Sequence, residues 1–141
     1  MLPKVINGNQ HTDARGILKY NNDFDASEIK RVYCIENKDT QFKRGWQGHR
    51  IEQRWFSAVS GAFEIQLIKI DDWENPSPML KPNVFKLSCD TMDVLHVPSG
   101  YVSCIQAVEE HSKLLVMADY SLGEIKDEFR YPLEQFSCTK E

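Results

Sequence analysis

The feature of this sequence that most limits its fold is an alternation of apolar and polar residues with a period of two. In Ala62–Ile70, the apolar residues Phe63, Ile65 and Leu67 alternate with polar ones. This period is typical of β-strands with one buried face, whereas no stretch of ten or more residues carries the period of a helix. The sequence therefore predicts an all-β fold with little helix.

The predicted strands are short and follow one another at near-regular spacing. They cover Ile17–Tyr20, Ile29–Glu36, Arg54–Val59, Ala62–Ile70, Val84–Ser88, Val94–Val97, Val102–Val108 and Lys113–Ala118. Ser60 and Gly61 predict a tight turn that pairs Arg54–Val59 with Ala62–Ile70 as a β-hairpin. A succession of this kind favours a sandwich or a barrel.

Two segments depart from the strand pattern. Asp71–Pro82 is rich in proline, which cannot donate a hydrogen bond to a sheet, and we predict a long surface loop there. Asp127–Phe136 is the one plausible helical turn, and Pro132 limits its length.

Length and charge exclude several classes of protein. A chain of 141 residues predicts a single domain over residues 1–141, and 41% hydrophobic residues exclude wholesale disorder. The net charge of -4, with no basic patch, argues against a nucleic-acid partner. The longest apolar run, Leu114–Ala118, is far shorter than the ~20 residues of a membrane helix, and the N-terminus lacks the apolar core of a signal peptide. We expect a soluble, cytoplasmic protein without a membrane partner.

The four cysteines show no metal or redox spacing. Cys34, Cys89, Cys104 and Cys138 form no C-x-x-C pair. In a cytoplasmic chain such residues are expected to be small, buried, reduced thiols.

The best candidate for a site is Phe42–Arg50, between two predicted strands. It combines two glycines with Trp46, His49 and arginines, and Arg54 follows shortly after. This composition is too polar for a core and too aromatic for an ordinary loop.

Five short motifs, in this order, resemble the metal-independent sugar-nucleotide cupins. They are Asp13-x-Arg15-Gly16, Lys30-Arg31-Val32-Tyr33, Arg44-Gly45-Trp46-Gln47-Gly48-His49, Leu95-x-Val97-Pro98 and a closing pair Ala118 and Tyr120. The similar families are the dTDP-4-keto-6-deoxyhexose 3,4-ketoisomerases (WxcM-like) and, more distantly, the dTDP-4-dehydrorhamnose 3,5-epimerases. The resemblance implies a cupin-type jelly-roll β-barrel (a double-stranded β-helix) and a dTDP-linked deoxyhexose substrate for polysaccharide biosynthesis. It also implies a homodimer that exchanges residues 1–25.

The implied reaction begins with removal of a proton next to a carbonyl, which suits a neutral imidazole. His49 matches one histidine of the ketoisomerase motif, and Gln47 stands where both families carry another. Gln47 can donate a hydrogen bond to an enolate oxygen but cannot exchange protons. Tyr33 is either an acid or donor in the reaction or a packed strand residue.

The diphosphate of such a substrate calls for arginine, whose fork geometry matches phosphate. Arg15 matches an arginine that reaches toward the nucleotide in the related dimers, and Arg31, Arg44 and Arg54 are further candidates. Trp46 and Tyr101 either stack on the thymine or sugar or belong to the core.

No metal or other cofactor is expected. The ligand positions of metal-dependent cupins fall on Gln47, His49, Gln53 or Arg54, and Ser103, so one usual ligand of four remains. His11, His96 and His111 stand on unrelated segments and are expected to be surface or hydrogen-bonded histidines.

Two functions follow. The first is a metal-independent isomerase or epimerase of a nucleotide-linked 4-keto-6-deoxyhexose, with His49 as base. The second is a sugar-nucleotide-binding cupin that lost its chemistry, which the glutamine at Gln47 suggests. Independently of the resemblance, open strand edges in such a fold favour a dimer.

Overall fold

The computed structural model describes residues 1–136, and Cys138 lies outside the described residues. The strands are β1 (Lys4–Ile6), β2 (Asn9–Asp13), β3 (Gly16–Tyr20), β4 (Arg31–Ile35), β5 (Lys43–His49), β6 (Arg54–Ser60), β7 (Ala62–Lys69), β8 (Asn83–Ser88), β9 (Val94–Val97), β10 (Tyr101–Ala107), β11 (Lys113–Ala118) and β12 (Glu128–Arg130). A short 3₁₀ helix covers Leu133–Gln135. Over residues 1–136 the chain forms no α-helix, which confirms the all-β prediction.

The strands form two antiparallel five-stranded sheets and a separate hairpin. One sheet has the order β1-β9-β6-β11-β4, and the other has the order β12-β5-β10-β7-β8. β2 and β3 pair with each other as the hairpin. From β4 onward, successive strands alternate between the two sheets, except that β7 and β8 pair with each other. This is the jelly-roll arrangement of a cupin-type barrel, so the predicted fold is confirmed.

The core lies between the two sheets. Phe63, Ile65 and Leu67, which carry the period-two pattern of β7, are fully buried there. From the other sheet, Phe56 and Val116 meet them in the same apolar cluster. The alternation in the sequence therefore identified which face of β7 points inward.

The hairpin predicted between the strands on either side of Ser60 and Gly61 is wrong. β6 pairs with β9 and β11, whereas β7 pairs with β8 and β10 in the opposite sheet. Gly61, with a φ of 68°, turns the chain from one sheet to the other. Two apolar strands joined by a tight turn can cover one core from opposite sides, and local sequence does not distinguish this from pairing.

The other strand predictions agree with the structure to within a few residues. Val94–Val97 and Lys113–Ala118 have the predicted bounds, and Asp71–Pro82 contains no strand or helix. The helical turn predicted for Asp127–Phe136 is largely wrong, because β12 extends the second sheet beside β5 before the chain reaches Leu133–Gln135.

Only part of the cysteine prediction holds in the described residues. Cys104 is buried, Cys89 is half-buried and Cys34 is exposed, and all three are free thiols. Cys34 is exposed because β4 lies at the edge of its sheet and alternates Tyr33 and Ile35 toward the core with Val32 and Cys34 toward solvent.

The described residues contain no helix that could span a membrane.

Gly48 allows β5 and β10 to approach closely. A Cβ atom at Gly48 would lie 2.2 Å from the Tyr101 carbonyl oxygen and 2.5 Å from the Val102 Cα. We therefore expect Gly48→Ala to lower the free energy of unfolding by about 1–3 kcal/mol, since backbone atoms cannot move aside cheaply. Urea denaturation would measure this, with Lys86→Ala on the exposed face of β8 as the control. Equal stability of both variants would contradict the close approach.

Candidate active site

One end of the barrel opens into a cavity between the sheets. Its volume is about 40 Å³, and it adjoins a more open cavity of about 440 Å³. The residues that line both are Tyr33, Gln47, His49, Glu52 and Arg54. Most of the remaining wall of the larger cavity comes from the segment Ser121–Phe129.

The segment Phe42–Arg50 does not lie between strands, as the sequence suggested, but forms strand β5 itself. Gln47 and His49 line the cavity, whereas the side chain of Trp46 is buried in a separate apolar cluster. The polar composition that looked unsuited to a strand arises because one face of β5 points into a cavity.

The hydrogen bonding of His49 defines the tautomer of its neutral ring, and the surroundings of the ring favour the neutral form. Nδ1 of His49 lies 3.2 Å from the backbone carbonyl oxygen of Asp127. A carbonyl oxygen can only accept, so Nδ1 must carry the hydrogen and Nε2 of the neutral ring keeps its lone pair. Burial lowers the pKa of His49, and the positive charge of Arg54 lowers it further. The ring is therefore a neutral base at pH 7.

Arg54 supplies a buried positive charge beside this base. Its side chain is 8% exposed, and Nη1 donates to Oε1 of Glu52 at 2.8 Å. Burial alone would lower the pKa of Arg54, but hydrogen bonds with Glu52 and with the Tyr33 hydroxyl outweigh it and raise the pKa. Arg54 stays charged because two neighbours compensate for the lost water.

Tyr33 lies between two guanidinium groups. The Arg31 guanidinium stands over its ring, 4.6 Å from the centroid. Tyr33 also neighbours the Arg54 guanidinium and helps to raise the pKa of Arg54. Its hydroxyl has one hydrogen to donate to another acceptor. The cavity thus offers a lone pair on His49 and a hydroxyl hydrogen on Tyr33.

Asp127 is a part of the site that the sequence did not indicate. It is 4% exposed, and its carboxylate accepts the backbone N–H groups of Arg50, Ile51 and Glu52 at 2.7–3.0 Å. These three hydrogen bonds stabilise the buried negative charge. No local motif could reveal the contact, because the two segments are more than 70 residues apart in the chain.

The structure brings most of the remaining predicted residues to the two cavities. Arg44 and Tyr101 line the smaller cavity and Arg31 lines the larger one. The Arg44 Nε also donates to Oδ1 of Asn37 at 3.3 Å. Burial raises the pKa of Tyr101.

Trp46 and Arg15 are not among the residues that line either cavity. Trp46 is 1% exposed and packs edge-on against Phe136 outside the second sheet. Arg15 is exposed on the turn of the β2–β3 hairpin, where it pairs with Asp13 at 2.7 Å. Within one chain, therefore, neither side chain belongs to the wall of these cavities.

His49, Glu52 and Asp127 could each offer one ligand atom to a metal, and these atoms lie within 4.8 Å of one another. Their existing contacts do not fit a divalent cation. Asp127 already accepts three N–H groups, and Glu52 pairs with Arg54, whose charge would repel the ion.

The isolated histidines behave as predicted. His11 and His111 are exposed. His96 is buried, stacks on Trp55 and bonds through Nε2 to Oε1 of Gln53 at 2.6 Å.

Known structures share this architecture. A mutant of the 3,4-ketoisomerase QdtA from Thermoanaerobacterium thermosaccharolyticum, in complex with TDP-4-keto-6-deoxyglucose, matches with a TM-score of 0.70 and 23% identity over 92% of this chain and 87% of its own. A 3,4-ketoisomerase from Helicobacter canadensis matches with a TM-score of 0.70 and 21% identity over 99% and 98% of the two chains. The dTDP-4-dehydrorhamnose 3,5-epimerase from Bacillus anthracis matches with a TM-score of 0.70 and 13% identity over 89% and 76%.

At these identities the structural matches establish the fold. No curated protein matches the sequence significantly. The family model described as "WxcM-like, C-terminal" matches residues 2–136, which is nearly the whole chain. Together with the jelly-roll barrel and the motif order, this match shows that the chain belongs to the WxcM-like family.

Proposed function

We propose that this protein is a metal-independent isomerase of a nucleotide-linked 4-keto-6-deoxyhexose, of the 3,4-ketoisomerase type. The observation that carries the proposal is the His49 ring, which is neutral and holds its Nε2 lone pair at a cavity lined by cationic and hydrogen-bonding groups. Membership of the WxcM-like family and structural likeness to enzymes that bind TDP-sugars support the substrate class.

Each step of a 3,4-isomerisation has a candidate group in the cavity. The hydrogen on C3 is acidic because C4 is a carbonyl. His49 Nε2 takes that proton, the C–H electron pair forms a C3=C4 double bond, and the C4 oxygen becomes an enediolate. Tyr33 and Gln47 donate hydrogen bonds to this oxygen. The His49 imidazolium then delivers its Nε2 proton, which exchanges with solvent, to C4, while the C3 hydroxyl proton passes to the C4 oxygen and C3 becomes the carbonyl. This gives the 3-keto sugar and restores the neutral base.

The charges in the site match the charges of the substrate. Arg31 and Arg44 stand at the two cavities, and Arg54 holds a positive charge next to the reacting groups. Guanidinium groups suit a diphosphate and an enediolate, both of which are anionic. Tyr101 lines the smaller cavity, and we assign it a contact with the sugar.

A sugar-nucleotide-binding cupin without activity is the second candidate, because Gln47 replaces a histidine of both related families. It predicts saturable TDP binding by calorimetry with no conversion of the keto sugar. The neutral base favours the isomerase, since a pure binding protein has no need of one.

We also propose a homodimer in which residues 1–25 of each chain contact the other, and a cytoplasmic location. The β2–β3 hairpin leaves Ile17 and Leu18 60% and 62% exposed, and a partner chain that packs on the hairpin would bury this apolar surface. An exchange of this kind would carry Arg15 toward the partner's cavity.

We expect His49→Asn to reduce conversion of TDP-4-keto-6-deoxyglucose by about 10²–10⁴-fold, because the amide cannot accept the C3 proton. NMR of the sugar would follow the reaction, and calorimetry should show TDP binding retained. The control is His11→Asn, an exposed histidine outside the cavity. Undiminished conversion by His49→Asn would contradict the assigned role.

The pH dependence follows from the lowered pKa of His49. Because burial and Arg54 disfavour the imidazolium, the base form persists to lower pH than it would at the ordinary value of 6.5. We expect kcat/KM to fall only as pH drops through an apparent pKa below 6.5, in a profile from about pH 4.5 to 8. Circular dichroism over the same range checks folding. An acid limb centred above 6.5 would contradict the environment described for His49.

Arg15 tests the proposed dimer. We expect Arg15→Ala to raise the Kd for TDP by about tenfold, equivalent to about 1.4 kcal/mol, because a partner's cavity would lose one guanidinium. The matched control is Arg130→Ala, an exposed arginine that also pairs with an acidic residue two positions earlier. A monomer in sedimentation, with TDP affinity unchanged by Arg15→Ala, would contradict the exchange.

A further inference from the structure

Two aspartates, Asp119 and Asp127, hold the connection between β5 and β6 in place. This connection, residues 50–53, joins the strand that carries His49 to the strand that begins with Arg54. The backbone N–H groups of residues 50, 51 and 52 donate to the carboxylate of Asp127, and the N–H of residue 53 donates to the carboxylate of Asp119. The part of the chain from Asp119 to Asp127 therefore fixes a turn that lies directly between the base and the buried cation.

Asp127 contacts this part of the site through its carboxylate and through its backbone carbonyl. Its carboxylate holds the turn, while its backbone carbonyl accepts from Nδ1 of His49 at 3.2 Å. The turn also places Glu52, whose carboxylate pairs with Arg54. One buried residue thus contacts the base directly and is connected through the turn to the ion pair of Glu52 and Arg54.

We propose that Asp127 is the positioning residue of this site, and that its carboxylate keeps its carbonyl aligned with His49 so that the Nε2 lone pair faces the cavity. The geometry supports this because the three N–H groups come from the residues that directly follow His49. If the carboxylate no longer holds the turn, the Asp127 carbonyl is no longer aligned with Nδ1 of His49. The ring can then flip or adopt the other tautomer, with the hydrogen on Nε2. The expected effect on kcat rests on the proposed function, whereas the expected effect on the His49 tautomer does not.

The substitution that tests it is Asp127→Asn, which keeps the backbone carbonyl and the side-chain volume. An amide offers one acceptor oxygen, and its NH₂ group would face an N–H of the turn, so at least one hydrogen bond must be lost. We expect kcat to fall by about 10- to 100-fold, as is usual when a reacting group is misplaced, with KM changed less.

The chain offers a matched control in Asp93. Its carboxylate also accepts a backbone N–H, from Gly8 at 2.8 Å, and its carbonyl also accepts a side chain, the Ser57 hydroxyl at 2.9 Å. Asp93 does not line either cavity. Asp93→Asn should therefore affect stability in a similar way and leave kcat unchanged.

The decisive measurement is ¹⁵N NMR of the His49 ring at neutral pH, which distinguishes the two tautomers without any reaction. We expect wild-type protein and Asp93→Asn to show the hydrogen on Nδ1, and Asp127→Asn to show a mixture of tautomers. An Nε2–H ring in the wild type would overturn the inference even if Asp127→Asn does not fold. A folded Asp127→Asn variant with an unchanged tautomer and unchanged kcat would overturn it as well.

The same measurement separates this inference from the proposed function. A wild-type ring with the hydrogen on Nδ1, lost in Asp127→Asn, would support the positioning role even if the protein converted no keto sugar. Absence of conversion alone would contradict the isomerase and leave the role of Asp127 intact.

Discussion

The site depends on one hydrogen bond, from Nδ1 of His49 to the carbonyl of Asp127. An imidazole can act as a base through either nitrogen, and this bond decides which one. The acceptor is a neutral carbonyl, and although the Glu52 and Asp127 carboxylates lie nearby, burial and Arg54 keep the pKa of the ring lowered. The result is a base that is oriented and neutral in a partly buried position, and the other groups of the site are arranged around it.

The charges around His49 balance one another in pairs. Arg54 lowers the pKa of the ring, while Glu52 and Asp127 act in the opposite direction but do not outweigh burial and Arg54. Glu52 also neutralises part of the charge on Arg54, so that a buried guanidinium can remain near the substrate. Gln47 fits this arrangement because a neutral amide next to the base adds a hydrogen-bond donor without another titrating group.

The sequence predicted the fold more completely than the site. The period-two pattern of Phe63, Ile65 and Leu67 depends only on which face is buried, so it revealed β7 directly. The partner of each strand is decided by long-range packing, and for that reason the turn at Gly61 was interpreted wrongly. His49, Gln47, Tyr33 and Arg54 were predicted as site residues from a short stretch of chain and a family resemblance, and all four line the cavities. Asp127 was missed because its partners belong to a distant segment. The sequence left Trp46 open as a core or a site residue, and its packing against Phe136 places it in the core.

The central claim is that His49 removes the proton next to a substrate carbonyl. Incubation of the wild-type protein with TDP-4-keto-6-deoxyglucose in heavy water, followed by NMR of the sugar carbons, tests it most directly. Our account predicts that deuterium from the solvent appears at the carbon beside the ketone and that the carbonyl moves from C4 to C3. A sugar that binds but keeps all its carbon-bound hydrogens after prolonged incubation would contradict it.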